Sequence, residues 1–145
     1  MKIYTINFET LVKVYSPYID AVKSLEGEKK THLAKMDVYK SEMQSIIDSS
    51  QTLILDEKTK KEKMEKFGNL QNEASKQDGD FRNILSKKQD EILKRIYSSI
   101  TEMVTDFSTA NNIDMVINNS EVIYFSSNMD ITDKIIAIIK KRIFI

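Results

Sequence analysis

Residues 112–133 read NIDMVINNSEVIYFSSNMDITD, and this stretch decides the fold of the chain. Met115 to Ile117 is a short apolar run, and Val122 to Phe125 is a second one, rich in β-branched and aromatic side chains. Between them lies Asn118-Asn119-Ser120-Glu121, which is rich in turn-forming residues. Two such runs joined by a short turn are typical of a β-hairpin, which we predict here.

A helix is predicted to follow this hairpin. Asp130 is the predicted N-cap of a helix from Ile131 to about Arg142, and Asp133 in its first turn complements the helix dipole. Lys140, Lys141 and Arg142 do the same at the C-terminal end. An apolar face for packing on the sheet is formed by Ile135, Ile136, Ile138 and Ile139.

The N-terminus predicts a further strand. Lys2 to Asn7 alternates and contains β-branched and aromatic residues, as a short strand does. Glu9 to Tyr15 has helical apolar spacing and is stopped at Ser16, because a residue before proline is pushed out of the α region. Pro17 then fits the first turn of the next helix, where its missing N–H costs nothing.

Between the two ends, apolar residues recur at intervals of three and four, as on one face of a helix. A first helix is predicted from Tyr18 to about Ser50, and a turn near Ser49 to Leu55 leads to a second helix capped by Asp56. The apolar positions of the first helix are Ile19, Val22, Leu25, Leu33, Met36, Tyr39, Met43 and Ile46 or Ile47. Those of the second are Met64, Phe67, Ala74, Phe81, Leu85, Ile92, Ile96, Met103 and Phe107. Such a proline-free pattern over about fifty residues indicates a coiled coil, with bending expected at Gly68 and Gly79.

These elements predict an α+β protein that is mostly helical. A small β body made of both termini, residues 1–17 and 112–145, carries an antiparallel helical hairpin formed by residues 18–111. Three short strands leave unpaired edges and a core too small to be stable alone. We therefore expect subunits to share their strands.

Composition excludes several classes of protein. Lys and Arg balance Asp and Glu at 22 each, so no net field draws the chain to nucleic acid. There is no cysteine for a disulfide or a thiolate metal site. No apolar run reaches the ~20 residues that span a membrane. The N-terminus lacks the pattern of a secretory leader, so we expect either that a leader has been removed or that the protein is not exported.

Catalytic and metal sites are not expected. His32 is the only histidine and lies at helical spacing from Glu28 and Lys35, without a second ligand of its kind. Three carboxylate pairs have no predicted pocket to desolvate them, as acid catalysis at neutral pH requires, and are predicted to be solvated. They are Glu57 with Glu62, Asp78 with Asp80, and Asp90 with Glu91. The only glycines, Gly27, Gly68 and Gly79, do not form a phosphate-binding G-x-x-x-x-G-K loop. We predict no enzyme activity, cofactor or metal.

The C-terminal segment resembles a known family. Its signature is Asp114-Met115-Val116-Ile117, Val122-Ile123-Tyr124, Ser126-Ser127 and Asp130-Ile131-Thr132, placed after a long helical hairpin and preceded by an N-terminal strand. This arrangement resembles the Skp/OmpH family of periplasmic chaperones. The resemblance implies a jellyfish-like homotrimer, in which three β bodies join and three hairpins project as tentacles around a cavity for unfolded outer membrane proteins.

The resemblance implies an ATP-independent holdase with a role in outer membrane protein assembly. The residues expected to bind clients are Met36, Tyr39, Met43, Met64, Phe67 and Phe81. These side chains are also suited to an ordinary seam between the two helices. The residues expected in the trimerisation body are Ile3, Ile6, Val116, Ile117, Val122, Ile123 and Tyr124.

Two other functions are compatible with the residues. The chain could be a structural or assembly coiled-coil protein, of a phage or an intracellular system, or a helical adaptor for one partner. The expected partners of the holdase are two further copies and unfolded clients, near a membrane surface without crossing it. A removed leader predicts a periplasmic location, whereas a chain without one would be cytoplasmic or associated with a virion.

Overall fold

A computed structural model describes residues 1–52 and 54–143 of the 145-residue chain. In chain order the elements are β1 (Ile3–Ile6), α1 (Phe8–Val14), α2 (Ser16–Thr52), α3 (Glu57–Ala110), β2 (Met115–Asn118) and α4 (Thr132–Ile143). Contacts divide the chain into two compact units. We call Met1–Lys23 with the chain from Gln89 onwards the terminal unit, and Ser24–Lys88 the arm unit. The predicted mostly helical α+β class, with a small sheet made by both termini, is confirmed.

The sheet of the terminal unit joins the two ends of the chain. β1 and β2 pair in parallel, with Ile3 opposite Met115. On its other side β1 forms a single bridge between Thr5 and Asp130, where the Thr5 carbonyl accepts the N–H of Ile131 at 2.9 Å. β1 therefore has backbone partners along both of its edges, although within the described residues the sheet itself has only two strands.

Helices of the terminal unit bury a compact apolar core against this sheet. Leu11 of α1, Ile100 of α3, and Ile135 and Ile139 of α4 are fully buried. The buried residues of α3 lie at helical intervals and are Ile96, Ile100, Met103 and Val104. Ile131 continues the α4 series at a spacing of four, so one stripe of the helix faces the core.

Polar side chains connect the starts of α1 and α4. Asn7 is the N-cap of α1, and its Oδ1 accepts the N–H of Thr10 at 3.1 Å. The backbone N–H of Asn7 donates in turn to Thr132 Oγ1 at 2.8 Å. Asp130 Oδ1 accepts the N–H of Thr132 at 2.9 Å. α4 begins one residue later than predicted, and the carboxylate of Asp130 caps its first turn.

The arm unit consists of two antiparallel helical segments. Polar contacts join the two segments at three successive levels that approach the turn between the helices. They are Glu28 with Lys88, His32 with Asp78, and Ser49 with Lys63. The predicted turn near Ser49 to Leu55 includes residue 53, which lies outside the described residues. α3 begins where predicted, after Asp56, whose Oδ1 accepts the N–H of Thr59 at 2.8 Å. Hydrogen bonds from the side chain and backbone of Thr59 lower the pKa of Asp56.

The predicted hairpin after β2 is wrong. The sheet partner of β2 is β1, and a 3-10 turn at Asn119–Glu121 follows β2. The 3-10 turn directs the chain away from β2 instead of back along it, so Val122 to Phe125 does not pair with β2 within the chain. Val122 leaves the turn in an extended conformation, and Ile123 and Tyr124 are exposed.

Asn112 ends α3 in a Schellman motif. Its φ is 54°, the Ile113 N–H donates to the Ser108 carbonyl at 2.9 Å, and the Asn112 N–H donates to Thr109 at 3.4 Å. Asparagine tolerates this left-handed conformation better than residues with other side chains do. The motif turns the chain from α3 into β2.

We predict opposite outcomes for two substitutions of Asn112. Asn112→Gly should leave the free energy of unfolding unchanged or raise it slightly, because glycine has no Cβ and adopts the left-handed conformation without strain. Asn112→Ala should lower it by about 1 kcal/mol, because alanine has the Cβ but lacks the polar side chain that lets asparagine adopt this conformation. Urea unfolding followed by circular dichroism measures both. Equal stabilities of the two variants would contradict a left-handed C-cap at this position.

Candidate functional site

The arm unit has an inner seam of apolar residues in a seven-residue rhythm. Leu25, His32, Tyr39 and Ile46 follow one another at intervals of seven on α2, with Met36 and Met43 between them. Leu25 is buried and the other five are half-buried. The half-buried apolar positions of α3 in this unit are Phe67, Leu70, Ala74, Phe81 and Leu85. We call these residues of the two helices the arm seam; the spacing is that of a coiled coil.

A polar residue occupies one position of the arm seam. The side chain of His32 is only 10% exposed, and its Nε2 lies 2.9 Å from Asp78 Oδ1 on α3. The imidazole stacks on the ring of Phe81, with ring centroids 4.0 Å apart and planes at 9°. The Nε of Arg82 lies 2.9 Å from the other carboxylate oxygen of Asp78.

Two expectations from the sequence are corrected here. The spacing of apolar residues at threes and fours predicts Leu33 on the inner face of α2. In the structure the inner position is that of His32, seven residues after Leu25, and the side chain of Leu33 is 62% exposed. Asp78 had been expected as a solvated charge paired with Asp80, yet it is half-buried and bonded to His32. The hydrogen bond from His32, aided by the nearby Arg82 charge, holds the pKa of Asp78 below its usual value.

A second set of apolar side chains in the arm unit is exposed to solvent. We call it the arm-surface set: Leu33, Val38, Ile47, Ile54, Met64 and Ile84. Met64 is 75% exposed, and Ile84 borders an open cleft of about 650 Å³ beside His32 and Phe81. Of these six, only Met64 was among the residues expected to bind clients. On α2 they are offset by one from the seven-residue repeat, as Leu33 is from His32, whereas on α3 the spacing does not separate Met64 and Ile84 from the arm seam.

The other five residues expected to bind clients lie in the arm seam. Met36, Tyr39, Met43, Phe67 and Phe81 are all half-buried. Their assignment to client binding stays a prediction. Each of these side chains retains some exposure to solvent.

The residues expected in the trimerisation body lie in two environments of the terminal unit. Ile6 is buried, and Ile3, Val116, Ile117 and Val122 are half-buried. The remaining two, Ile123 and Tyr124, are 106% and 81% exposed. A groove of about 520 Å³ lies alongside β2, and its lining includes Phe8, Tyr97, Val104, Met115 and Val116.

Two features are absent from the described part of the chain, a cluster of metal ligands and a membrane-crossing helix. Across residues 1–52 and 54–143, no three histidine, aspartate or glutamate side chains cluster as a metal site requires. Within the same ranges, no helix combines the length and apolar character needed to cross a bilayer. The surfaces left to consider are the arm seam, the arm-surface set and the exposed segment after β2.

Comparison with known proteins identifies the family. The model of the family described as outer membrane protein (OmpH-like) matches residues 2–139. The chain belongs to the OmpH-like family. The resemblance of the C-terminal segment to the Skp/OmpH family is thereby confirmed.

A solved structure shares the fold of this OmpH-like chain. It is described as an outer membrane chaperone (OmpH-like) from Caulobacter crescentus CB15, and it superposes with a TM-score of 0.84 at 13% sequence identity. The match covers 97% of this chain and 85% of the other. No curated protein matches at the sequence level.

The arm seam and the arm-surface set should respond differently to the same substitution. Met43→Ser removes a half-buried side chain from the arm seam and should lower the free energy of unfolding by about 1–2 kcal/mol. Met64→Ser changes an exposed side chain and should alter it by less than about 0.5 kcal/mol. Chemical denaturation of both variants provides the comparison. A larger loss for Met64→Ser would mean that the assignment of inner and outer positions is incorrect.

Proposed function

We propose that this OmpH-like protein is an ATP-independent holdase that binds unfolded proteins of the outer-membrane type. The observation that carries the proposal is the arm-surface set, in which large apolar side chains are exposed among charged ones on α2 and α3 and, at Ile54, between these helices. Such side chains bind non-native chains through contacts that need no defined geometry. The family and the fold are those of proteins described as outer membrane chaperones.

Weak contacts at many positions explain how such a protein binds without a pocket. Leu33, Val38 and Ile84 are each more than half exposed, and each gives a client a contact worth on the order of 1 kcal/mol. Linking several contacts on one scaffold raises the effective concentration of each after the first is made. Adaptable side chains such as Met64 suit clients of varied sequence. We propose no enzymatic step and no cofactor in this cycle.

We further propose that the working form is a homotrimer in the periplasm, close to the outer membrane but not inserted in it. In the described residues β2 pairs with β1 alone, so its other edge is open. Val122 to Phe125 has the composition of a strand, and Ile123 and Tyr124 are exposed. Addition of this segment to the β2 edge of a neighbouring copy would pair the edge and bury both side chains.

In this proposal the assembly body is formed by residues 1–17 with 112–145, and residues 18–111 form the tentacle. The groove beside β2 offers apolar lining from Tyr97 and Met115 for the incoming segment. Ile6 and Val116 would then belong to a core shared between copies. The hairpin expected within one chain would thus be replaced by strand pairing between chains.

Trimerisation is tested with a double variant of the exposed segment. Ile123→Ser with Tyr124→Ser should convert a particle of three 16.8 kDa chains into single chains, because both side chains would lose their burial between copies. Light scattering after size exclusion gives the mass. Ala137→Ser, at an exposed position of α4, serves as the control and should keep the mass of the parent. A parent protein that is itself monomeric would contradict the proposal.

Holdase activity is tested with the arm-surface set. Leu33→Ser with Ile84→Ser should raise the concentration required to suppress aggregation of a urea-unfolded β-barrel protein by up to about thirtyfold, because two apolar contacts of about 1 kcal/mol each are lost. The matched control is Ala34→Ser with Asn83→Ser, which changes the exposed neighbours of both residues. An unchanged activity of the Leu33 and Ile84 variant would refute the assignment of the surface. No suppression by the parent would refute the function and favour a scaffold role.

A further inference from the structure

His32 occupies a position of the arm seam at which a coiled coil normally has an aliphatic side chain. It lies seven residues after Leu25 and seven before Tyr39, and its side chain is 10% exposed. A polar residue at such a position lowers stability but fixes the register of the helices. In this protein the polar group is bonded across the arm seam, because Asp78 Oδ1 lies 2.9 Å from its Nε2.

The ring is held by two different contacts from α3. Asp78 holds its edge, and Phe81, one helical turn later, stacks against its face at 4.0 Å. A carboxylate prefers a cationic donor, and an aromatic face also attracts a cation. Both contacts therefore become stronger when the imidazole is doubly protonated.

Several other charged side chains lie near the His32 ring, and most of them are paired with an opposite charge. On α3, Arg82 is paired with Asp78, and Lys88 reaches across to Glu28 of α2 at 2.7 Å. On α2, Glu28 and Lys35 border the same cleft as His32. These cations are either paired with a carboxylate or, like Lys35, exposed at the rim, so the carboxylate of Asp78 is the charge in direct contact with the ring.

We propose that His32, Asp78 and Phe81 form a clamp between the two helices of the arm unit that tightens when the pH falls from about 8 to 6. Histidine is the side chain whose charge ordinarily changes in this range. Neutral imidazole can still donate from Nε2 in one tautomer, so the contact weakens at high pH without disappearing. The inference concerns the arm unit alone and holds whether or not the protein is a holdase.

Asp78 sets the acidic limit of the clamp. Its pKa is lowered from its ordinary value of 3.8, chiefly by the hydrogen bond to His32. A carboxyl group with a lowered pKa in the folded state contributes stability that is complete above the ordinary value and is lost as the pH falls through the lowered one. Between about pH 5 and 8 the carboxylate is therefore charged throughout.

The clamp lies beside a glycine within α3, where the helix is intrinsically less stable. Gly79 follows Asp78 directly, and a Cβ at this position would meet no atom within 4 Å, so packing does not require a glycine. Glycine within a helix favours local opening by about 1 kcal/mol relative to alanine. The contact between His32 and Asp78 therefore opposes local unfolding of the helices at this point of the arm unit.

Hydrogen exchange of the full-length protein at about pH 8 and pH 6 tests the clamp. After correction for intrinsic exchange rates, segments 29–35 and 75–82 should open about three- to fivefold less at pH 6, the effect expected of one partly screened charged hydrogen bond. In His32→Gln the side chain can still donate but does not titrate, so this difference should vanish. Segments far from the clamp, in the terminal unit, should not follow the change.

Two further variants make the outcome decisive. Asp78→Asn keeps the acceptor oxygen and removes the charge, so it should leave only the smaller part of the pH response, which comes from the Phe81 ring, and it tests the clamp even if His32→Gln does not fold. Lys88→Met breaks the neighbouring ion pair with Glu28 and should leave the response intact. A response of undiminished size in Asp78→Asn, or one that disappears in Lys88→Met, would overturn the proposal.

Discussion

Parallel pairing of β1 with β2 brings together residues from opposite ends of the chain. The backbone N–H of Lys2 donates to Asp114 Oδ2 at 2.7 Å across a separation of 112 residues. Parallel strands cannot be joined by a tight turn and need a long connection, usually helical. In this protein the connection contains α1, α2 and α3, so both long helices of the chain lie inside one crossover. Any sequence placed there must allow the two strands to meet.

The entropy of closing such a long connection grows only slowly with its length. Doubling a loop adds about 0.6 kcal/mol to its closure, so helices of many lengths are compatible with the same terminal unit. What the unit cannot vary is its core, because Leu11, Ile100, Ile135 and Ile139 are all fully buried in it. This core includes side chains of the last turns of α3 and of α1, which follows β1. The terminal unit therefore folds only if the end of the long helix α3 has formed.

The features that could be predicted from the sequence are those fixed by neighbouring residues. The helices, the cap at Asp56 and the strand at Ile3 to Ile6 depend on periodicity and on contacts within a few positions. The partner of β2 depends on residues more than a hundred positions away, so local turn composition at Asn118 and Asn119 favoured the wrong pairing. The inner face of the arm unit could be predicted from the sequence only in part. A strict count of seven from Leu25 indicates His32, but hydrophobicity alone indicates Leu33.

The arm unit combines two kinds of apolar surface that are separated by a rotation of one residue. Met36 and Met43 hold the helices together, whereas Leu33 and Val38 are exposed next to them. An uninterrupted exposed apolar patch would invite aggregation. Charged neighbours such as Lys35 and Asp37 separate the exposed apolar side chains from one another, so they do not form a continuous patch. A polar contact in the arm seam, at His32 and Asp78, favours one register of the helices and so keeps the outer residues on the outside. The polar residue that weakens the seam thus also preserves the surface that we propose for client binding.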